Sequence, residues 1–149
     1  SQGVADQPTV AALAITAHEL GHAMQDRENY GPMKLRSAIV PMVNIGSNLG
    51  WIMLMLGLVL RIANLAWLGV ILFSAGALFS LITVPVELNA SKRARQMLTN
   101  TGLVVNAEEE KGVASVLNAA ALTYVAGLAT SLLQVLYFGS MAGGLGRRR

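Results

Sequence analysis

Residues 37–60 read SAIVPMVNIGSNLGWIMLMLGLVL and contain no charged side chain. A helix needs about 20 mostly apolar residues to cross the hydrocarbon core of a membrane, and this stretch is long enough to do so. Two later stretches share these properties, residues 62–86 and residues 113–138. The pattern therefore predicts three membrane-spanning helices.

The composition is also typical of a membrane protein. Charged residues make up 13% of the 149 residues and the mean hydropathy is +0.53, whereas a soluble domain carries about 25% charged residues. The chain has no cysteine, so a metal site would have to use histidine and carboxylate ligands. The net charge of +3 is modest and aromatic residues are few, so we predict no nucleic-acid partner.

The stretch that precedes the first predicted span carries a candidate metal motif, TAHELGHAM at residues 16–24. On a helix, His18 and His22 lie on one face about one turn apart, and two imidazoles so placed can bind one Zn²⁺. Glu19 borders that face and suits a carboxylate that deprotonates a water held there. Gly21 would allow another backbone to pass close by. The alternative is a chance pattern on a helix that faces the core.

The remaining polar segments complete the predicted fold. The helix that carries the motif is expected over residues 10–28 with Thr9 as its N-cap. A polar helical segment is expected over residues 88–111, as two helical pieces joined by a turn near residues 100–102. We predict an all-α fold: a polytopic helical membrane protein with three membrane-spanning helices, an amphipathic metal-binding helix and a short polar helical segment. Residues 1–149 are expected to form a single membrane-embedded domain.

Glu87 is the first acidic residue after the second long apolar run. Because two consecutive spans form a hairpin, Glu87 is expected to return to the side of the membrane where the helix of His18 lies. A carboxylate at a membrane boundary is costly without a partner. The partner is either Lys92 or Arg93, or it is Zn²⁺, with Glu87 as the third ligand of a site that leaves one position open for water.

Two polar residues near the start of the third predicted span are further candidates. Asn118 would reach the site if that helix begins on the same face, and either Asn118 or Tyr124 could donate a hydrogen bond to the developing oxyanion. A structural hydrogen bond is the alternative for each of them.

The charge pattern bears on topology. Excess positive charge favours the cytoplasmic side, and the expected site face carries Arg27, Lys34, Arg36, Lys92, Arg93, Arg95 and Lys111. The terminal arginines at 147–149 favour the opposite orientation if the last helix crosses fully.

Two motifs taken together resemble a known family. The sequences AHELGHAMQ at 17–25 and PVELNAS at 85–91 resemble those of the YugP-like neutral zinc metallopeptidases of bacterial membranes. The likeness extends through residues 34–38, 44–48 and 116–124 and so covers nearly the whole chain. Members normally begin with another membrane helix and a soluble segment, so we expect the N-terminal portion to be missing here.

The layout is more distantly similar to the membrane gluzincins of the CAAX prenyl-protease and HtpX type. Those proteins place a ligand glutamate on a later helix, followed by alanine and aspartate where this chain has Ala90 and Ser91. The resemblance implies that Glu87 is the third zinc ligand and that Asn89 or Ser91 orients a ligand histidine.

The function implied is that of a zinc-dependent endopeptidase of the bacterial inner membrane. It would use Zn²⁺ and the base Glu19 to hydrolyse peptide bonds of membrane or membrane-proximal proteins, with its site on the cytoplasmic face. The lipid bilayer and a protein or peptide substrate are its expected partners. A catalytically inactive membrane scaffold that keeps the fold is the alternative, whereas three spans without an inverted repeat argue against a solute carrier.

Overall fold

The computed structural model describes residues 9–146. Within these residues the regular secondary structure is entirely α-helical, without a β-strand. Five helices follow one another, which we label α1 (Val10–Arg27), α2 (Gly31–Val59), α3 (Ala63–Phe73), α4 (Ala75–Asn100) and α5 (Ala107–Gly146).

Three helical segments are long and apolar enough to cross a membrane: Gly31–Val59, Ala63–Asn100 and Ala107–Gly146. This confirms the predicted all-α polytopic membrane fold. Many large apolar side chains of these segments are exposed, for example Ile45 at 69% and Leu136 at 70%. Lipid is the natural neighbour of such surfaces in a protein of this class.

The helix boundaries differ from the prediction in the middle of the chain. The span expected over 62–86 is interrupted at Ser74, whose hydroxyl donates to the carbonyl of Ile71 at 2.6 Å. Helix α4 then continues through Pro85 to Asn100. The polar helical segment expected over 88–111 is present as two pieces: its first part extends α4 and its last residues begin α5, with the expected turn near residues 100–102.

Local hydrogen bonds explain where the helices begin. Thr9 Oγ1 accepts from the backbone N–H of Ala12 at 3.1 Å, which confirms the predicted N-cap of α1. At the start of α5, Asn106 Oδ1 accepts from the N–H of Glu109 at 2.8 Å. Both contacts satisfy backbone donors that lack a partner within the first helical turn.

Helices α1, α2 and α4 end alike. A residue in the left-handed region follows each of them, namely Asn29 (φ 57°), Arg61 (φ 56°) and Gly102 (φ 66°). The next N–H then bonds a carbonyl five residues back, as Tyr30 does to Gln25 at 2.9 Å. This pattern turns the chain while it satisfies the last helical carbonyls.

By their contacts the described residues form two compact units. The first contains residues 9–34 and 83–125, and the second contains residues 35–82 and 126–146. The prediction of a single domain over 1–149 stays a prediction.

Small residues dominate the core of the first unit. Its buried cluster consists of Ala14, Ala17, Ala94, Leu98, Val113 and Leu117. Because alanine projects little beyond its backbone, α1 and α4 can approach each other closely at this cluster.

Glycines have the same effect within the second unit. A Cβ on Gly57 would overlap the backbone of Ala66, and a Cβ on Gly69 would overlap the backbone of Leu54. Helices α2 and α3 therefore pack in backbone contact. The aromatic rings of Trp51 and Phe138 meet edge to face beside them, with centroids 5.5 Å apart.

Candidate metal centre

Helix α1 places two histidines side by side. His18 and His22 are one helical turn apart, and their rings meet edge to face with centroids 4.8 Å apart. Both are half-buried, with side-chain exposures of 13% and 18%. One face of α1 therefore presents two imidazoles to the neighbouring helix.

Helix α4 supplies the carboxylate that faces them. Glu87 is 1% exposed, and its Oε2 lies 3.1 Å from His18 Nε2 and 3.3 Å from His22 Nε2. Each of the three residues offers one possible ligand atom, and these three atoms lie within 4.8 Å of one another. The three residues could therefore hold a metal ion. Two imidazole nitrogens and one carboxylate oxygen are a donor set that suits Zn²⁺.

The remaining ring nitrogens also have partners. His22 Nδ1 lies 2.9 Å from Gln25 Oε1, and His18 Nδ1 lies 3.2 Å from Ser91 Oγ. Histidines that ligate a metal commonly use their other ring nitrogen in this way, which holds the ring and its tautomer. The Nε2 atoms are thereby left to face Glu87, and the residues present fit a zinc site.

The alternative partners expected for Glu87 are engaged elsewhere or face solvent. Arg93 Nη1 pairs with Glu28 Oε2 at 2.7 Å, and Lys92 is exposed. This arrangement favours the metal interpretation over Lys92 or Arg93 as the partner of Glu87.

Gly21 explains why the two helices meet at this point. A Cβ there would lie 2.5 Å from the carbonyl oxygen of Ala90, a separation that real side chains do not reach. The predicted close passage of another backbone is therefore present, and the passing backbone is that of α4.

Of the other residues predicted for the site, some contact the histidines directly or through a neighbour, and others are exposed to solvent. Ser91 is buried beside His18, and Asn89 reaches the histidines only through Gln25. Glu19 is exposed next to the ligand face of α1, and Asn118 and Tyr124 are exposed on α5. The contacts of His18, His22 and Glu87 with one another join α1 to α4.

Gln25 is a residue of this network that was not predicted from the sequence. This side chain is 0% exposed, and it bonds His22, the carbonyl of Val86 and the amide of Asn89. The spacing could have indicated this contact, because Gln25 lies three residues after His22 and therefore shares its helix face.

A cavity of about 540 Å³ adjoins this network. It is formed between α1 and α4, with Met24, Glu28, Asn89, Lys92, Arg93, Gln96, Met97, Asn100 and Thr101 in its walls. Asn89 and Arg93 belong both to the cavity and to the hydrogen bonds that lead to His22.

The fold and the cluster together are those of a helical membrane protein with a candidate zinc site, and Zn²⁺ is also the cofactor of the family that the chain matches. The chain belongs to the family described as "putative neutral zinc metallopeptidase", whose model matches residues 1–143. The chain is also similar to a protein of Bacillus subtilis (strain 168) named "Putative membrane protease YugP", with 47% identity over 130 residues. That alignment covers 87% of this chain and 57% of the relative, so the chain spans little more than half of the relative's length. No solved structure matches the chain.

Proposed function

We propose that this chain forms the catalytic part of a membrane-embedded, zinc-dependent endopeptidase. In this proposal His18, His22 and Glu87 are the metal ligands. The observation that carries it is the convergence of two Nε2 atoms on one buried carboxylate, in a chain whose family is one of zinc peptidases.

When bound, the zinc ion would polarise the scissile carbonyl and lower the pKa of a bound water toward about 7. The base in this proposal is Glu19, which follows the ligand His18 directly and is exposed on α1. Its carboxylate accepts a proton from the water that attacks the peptide carbonyl. It then passes that proton to the amine that leaves as the C–N bond breaks.

The surrounding residues have supporting roles. Ser91 and Gln25 hold the two imidazole rings from behind, so that neither ring must reorient when a ligand binds. Asn118 and Tyr124 remain candidates for contact with the substrate, since both are exposed on α5.

The position of the cluster suggests the class of substrate. Glu87 lies within Ala63–Asn100, a segment apolar and long enough to span a membrane. A site at such a place is accessible to membrane proteins and to segments close to the membrane. The polar stretches at residues 26–36 and 92–111 are rich in Lys and Arg. An excess of positive charge on the side of the site supports a cytoplasmic site in a bacterial inner membrane.

Substitution of Glu19 tests the proposal. Wild-type chain and Glu19→Gln are purified in detergent, their zinc content is measured by mass spectrometry, and cleavage of a quenched-fluorescent peptide library is followed. Both should hold about one zinc per chain, and Glu19→Gln should lose about 10²–10⁴-fold in turnover. Glu110→Gln, an exposed residue of the first turn of α5, is the matched control and should cleave like the wild type.

Two results would overturn the proposal. Equal cleavage by Glu19→Gln would remove Glu19 as the base. Zinc-loaded wild type that cleaves no peptide of the library would favour the non-catalytic scaffold.

A further inference from the structure

We propose that Arg93, together with Lys92, forms a subsite for a carboxylate of the polypeptide substrate, and that Glu28 fills this subsite while no substrate is bound. The carboxylate is the side chain of an aspartate or glutamate, or the free C-terminus of the peptide. Arg93 is then a specificity-determining residue of the proposed peptidase, so this inference rests on the proposed function. The binding itself needs neither zinc nor cleavage.

The cavity between α1 and α4 has the size and the charge for such a ligand. Its volume of about 540 Å³ lies within the range of about 300–1,000 Å³ that is typical of ligand pockets. Two basic residues, Lys92 and Arg93, and one acidic residue, Glu28, lie in its walls. The walls therefore carry an excess of positive charge, which attracts an anion.

Arg93 is held in place by contacts that do not involve Glu28. Its Nε donates to Asn89 Oδ1 at 2.7 Å, and its guanidinium carbon lies 5.9 Å from the ring centroid of Tyr30, within the range of cation–π attraction. Because these contacts remain when Glu28 moves away, the guanidinium stays in position for another carboxylate. A planar guanidinium matches the geometry of a carboxylate better than an ammonium does.

Glu28 is a weakly held occupant of this subsite. Arg93 Nη1 donates to Glu28 Oε2 at 2.7 Å, so a carboxylate already lies where we place that of the substrate. Glu28 is the C-cap of α1, and the partial negative charge of a helix C-terminus disfavours an acidic side chain. The side chain is 53% exposed, and exposed ion pairs are weak. An incoming carboxylate can therefore replace Glu28 at little cost.

The other wall residues favour a polypeptide over a simple anion. Asn89, Gln96 and Asn100 follow one face of α4 along the cavity. Each amide side chain can both donate and accept a hydrogen bond, so it can pair with the N–H and the C=O groups of a peptide backbone. Met24 and Met97 also lie in the walls, and their flexible side chains adapt to different apolar groups.

The subsite lies near the proposed metal ligands but is separate from them. Arg93 follows Glu87 by six residues on α4, which corresponds to a rise of about 9 Å along the helix axis. An extended peptide needs about three residues to cover that distance. A substrate that binds at both places therefore carries its carboxylate some residues away from the bond that is cleaved.

Peptide binding to the detergent-purified chain, followed by fluorescence anisotropy with and without zinc, tests the subsite directly. The probes are short labelled peptides of one neutral sequence. The first has a central glutamate and a blocked C-terminus, the second has glutamine there, and the third has glutamine and a free C-terminal carboxylate. Wild type should bind the first or the third about tenfold more tightly than the second, because a hydrogen bond to a charged group contributes about that factor. The probe that binds better identifies the source of the carboxylate.

Substitutions in the chain separate the subsite from general attraction between charges. Arg93→Gln should abolish the preference for the carboxylate peptide, and Lys92→Gln should reduce it by less. Glu28→Gln should bind that peptide about two- to fivefold more tightly than wild type, because the internal competitor is removed. Arg95→Gln is the matched control, since Arg95 is an exposed residue of α4 outside the cavity walls, and it should bind like wild type.

Cleavage kinetics give a second readout. Replacing the acidic residue of a cleaved peptide with its amide should raise KM about tenfold and leave kcat nearly unchanged, because the subsite binds the ground state and the transition state alike. Arg93→Gln should remove this difference between the two peptides, and Arg95→Gln should keep it.

Three results would overturn the subsite. The first is a wild type without preference for either carboxylate peptide. The second is a Glu28→Gln variant that binds no more tightly than wild type, as expected if the ion pair only holds the end of α1 against α4. This variant decides the question should circular dichroism show that Arg93→Gln fails to fold. The third is displacement of the labelled peptide by short-chain phosphatidylglycerol but not by unlabelled carboxylate peptide, which would assign the cavity to a lipid headgroup.

The outcomes also separate this inference from the proposed function. A wild type that binds carboxylate peptides as expected but cleaves none would overturn the proposed function and support the subsite. A wild type that cleaves peptides without preference for a carboxylate would do the reverse.

Discussion

Gly21 of α1 lies directly against the backbone of Ala90 in α4, so that a Cβ on Gly21 would come within 2.5 Å of the Ala90 carbonyl oxygen. The next residue of α1 is His22, and Glu87 lies almost one turn before Ala90. The contact between these two backbones therefore sets the separation between the imidazoles and the carboxylate.

Replacing this glycine should disturb both stability and the site. Gly21→Ala forces the two backbones apart, and overpacking of this kind typically costs about 1–3 kcal/mol. We expect a lower midpoint of thermal unfolding, measured by circular dichroism in detergent, and weaker zinc binding. Gly127→Ala is the control, because nothing lies within 4 Å of a Cβ at that helical position, and it should be neutral or slightly stabilising. Equal behaviour of the two variants would show that the close contact is not needed.

Zinc should stabilise the folded chain through Glu87. An ion that binds only the folded state adds about 4 kcal/mol at a free concentration 1,000 times its dissociation constant. Removing it with a chelator should therefore lower the unfolding midpoint of the wild type. Glu87→Gln keeps the shape of the buried side chain but removes the anionic ligand, so its midpoint should not respond to zinc. Glu109→Gln on α5 is the control and should respond fully, and a zinc response in Glu87→Gln would argue against Glu87 as a ligand.

The ion pair between Glu28 and Arg93 should contribute little to the stability of the fold. Glu28 is 53% exposed at its side chain, and exposed ion pairs are typically worth about 0–1 kcal/mol. Glu28→Gln should therefore unfold nearly as wild type in a denaturant titration. Arg93→Leu should cost more, because it also removes the hydrogen bond to Asn89 and the contact with the Tyr30 ring. The reverse order of the two variants would contradict this account of the network.

The proposed cytoplasmic site can be tested by labelling. Since the chain has no cysteine, single variants Lys111→Cys and Arg61→Cys report on one position each. Both residues are exposed, near the start of α5 and between α2 and α3. A membrane-impermeant maleimide added to intact spheroplasts should label Arg61→Cys, and it should label Lys111→Cys only after lysis. The opposite pattern would place the site on the outer side.

Much of the fold was predictable because a membrane imposes simple rules on sequence. Long uncharged runs identified the three spans, and Thr9 identified the start of α1. The break at Ser74 was not predictable, since its flanks are as apolar as the helices themselves. The continuation of α4 past Glu87 into polar sequence was missed for a related reason: a change from apolar to polar residues does not by itself end a helix.

The sequence by itself determined the all-α membrane class, the pair of histidines on one face and a short set of candidate partners for them. Those properties follow from helical periodicity and hydropathy, which are local. Only the tertiary structure decided that Glu87 faces both Nε2 atoms, that Arg93 pairs with Glu28 instead, and that Gln25 lies behind His22. The physical reason is that these contacts depend on how closely and in what register α1 packs on α4. The residues that meet there are more than 60 positions apart in the chain, so no local pattern determines their contact.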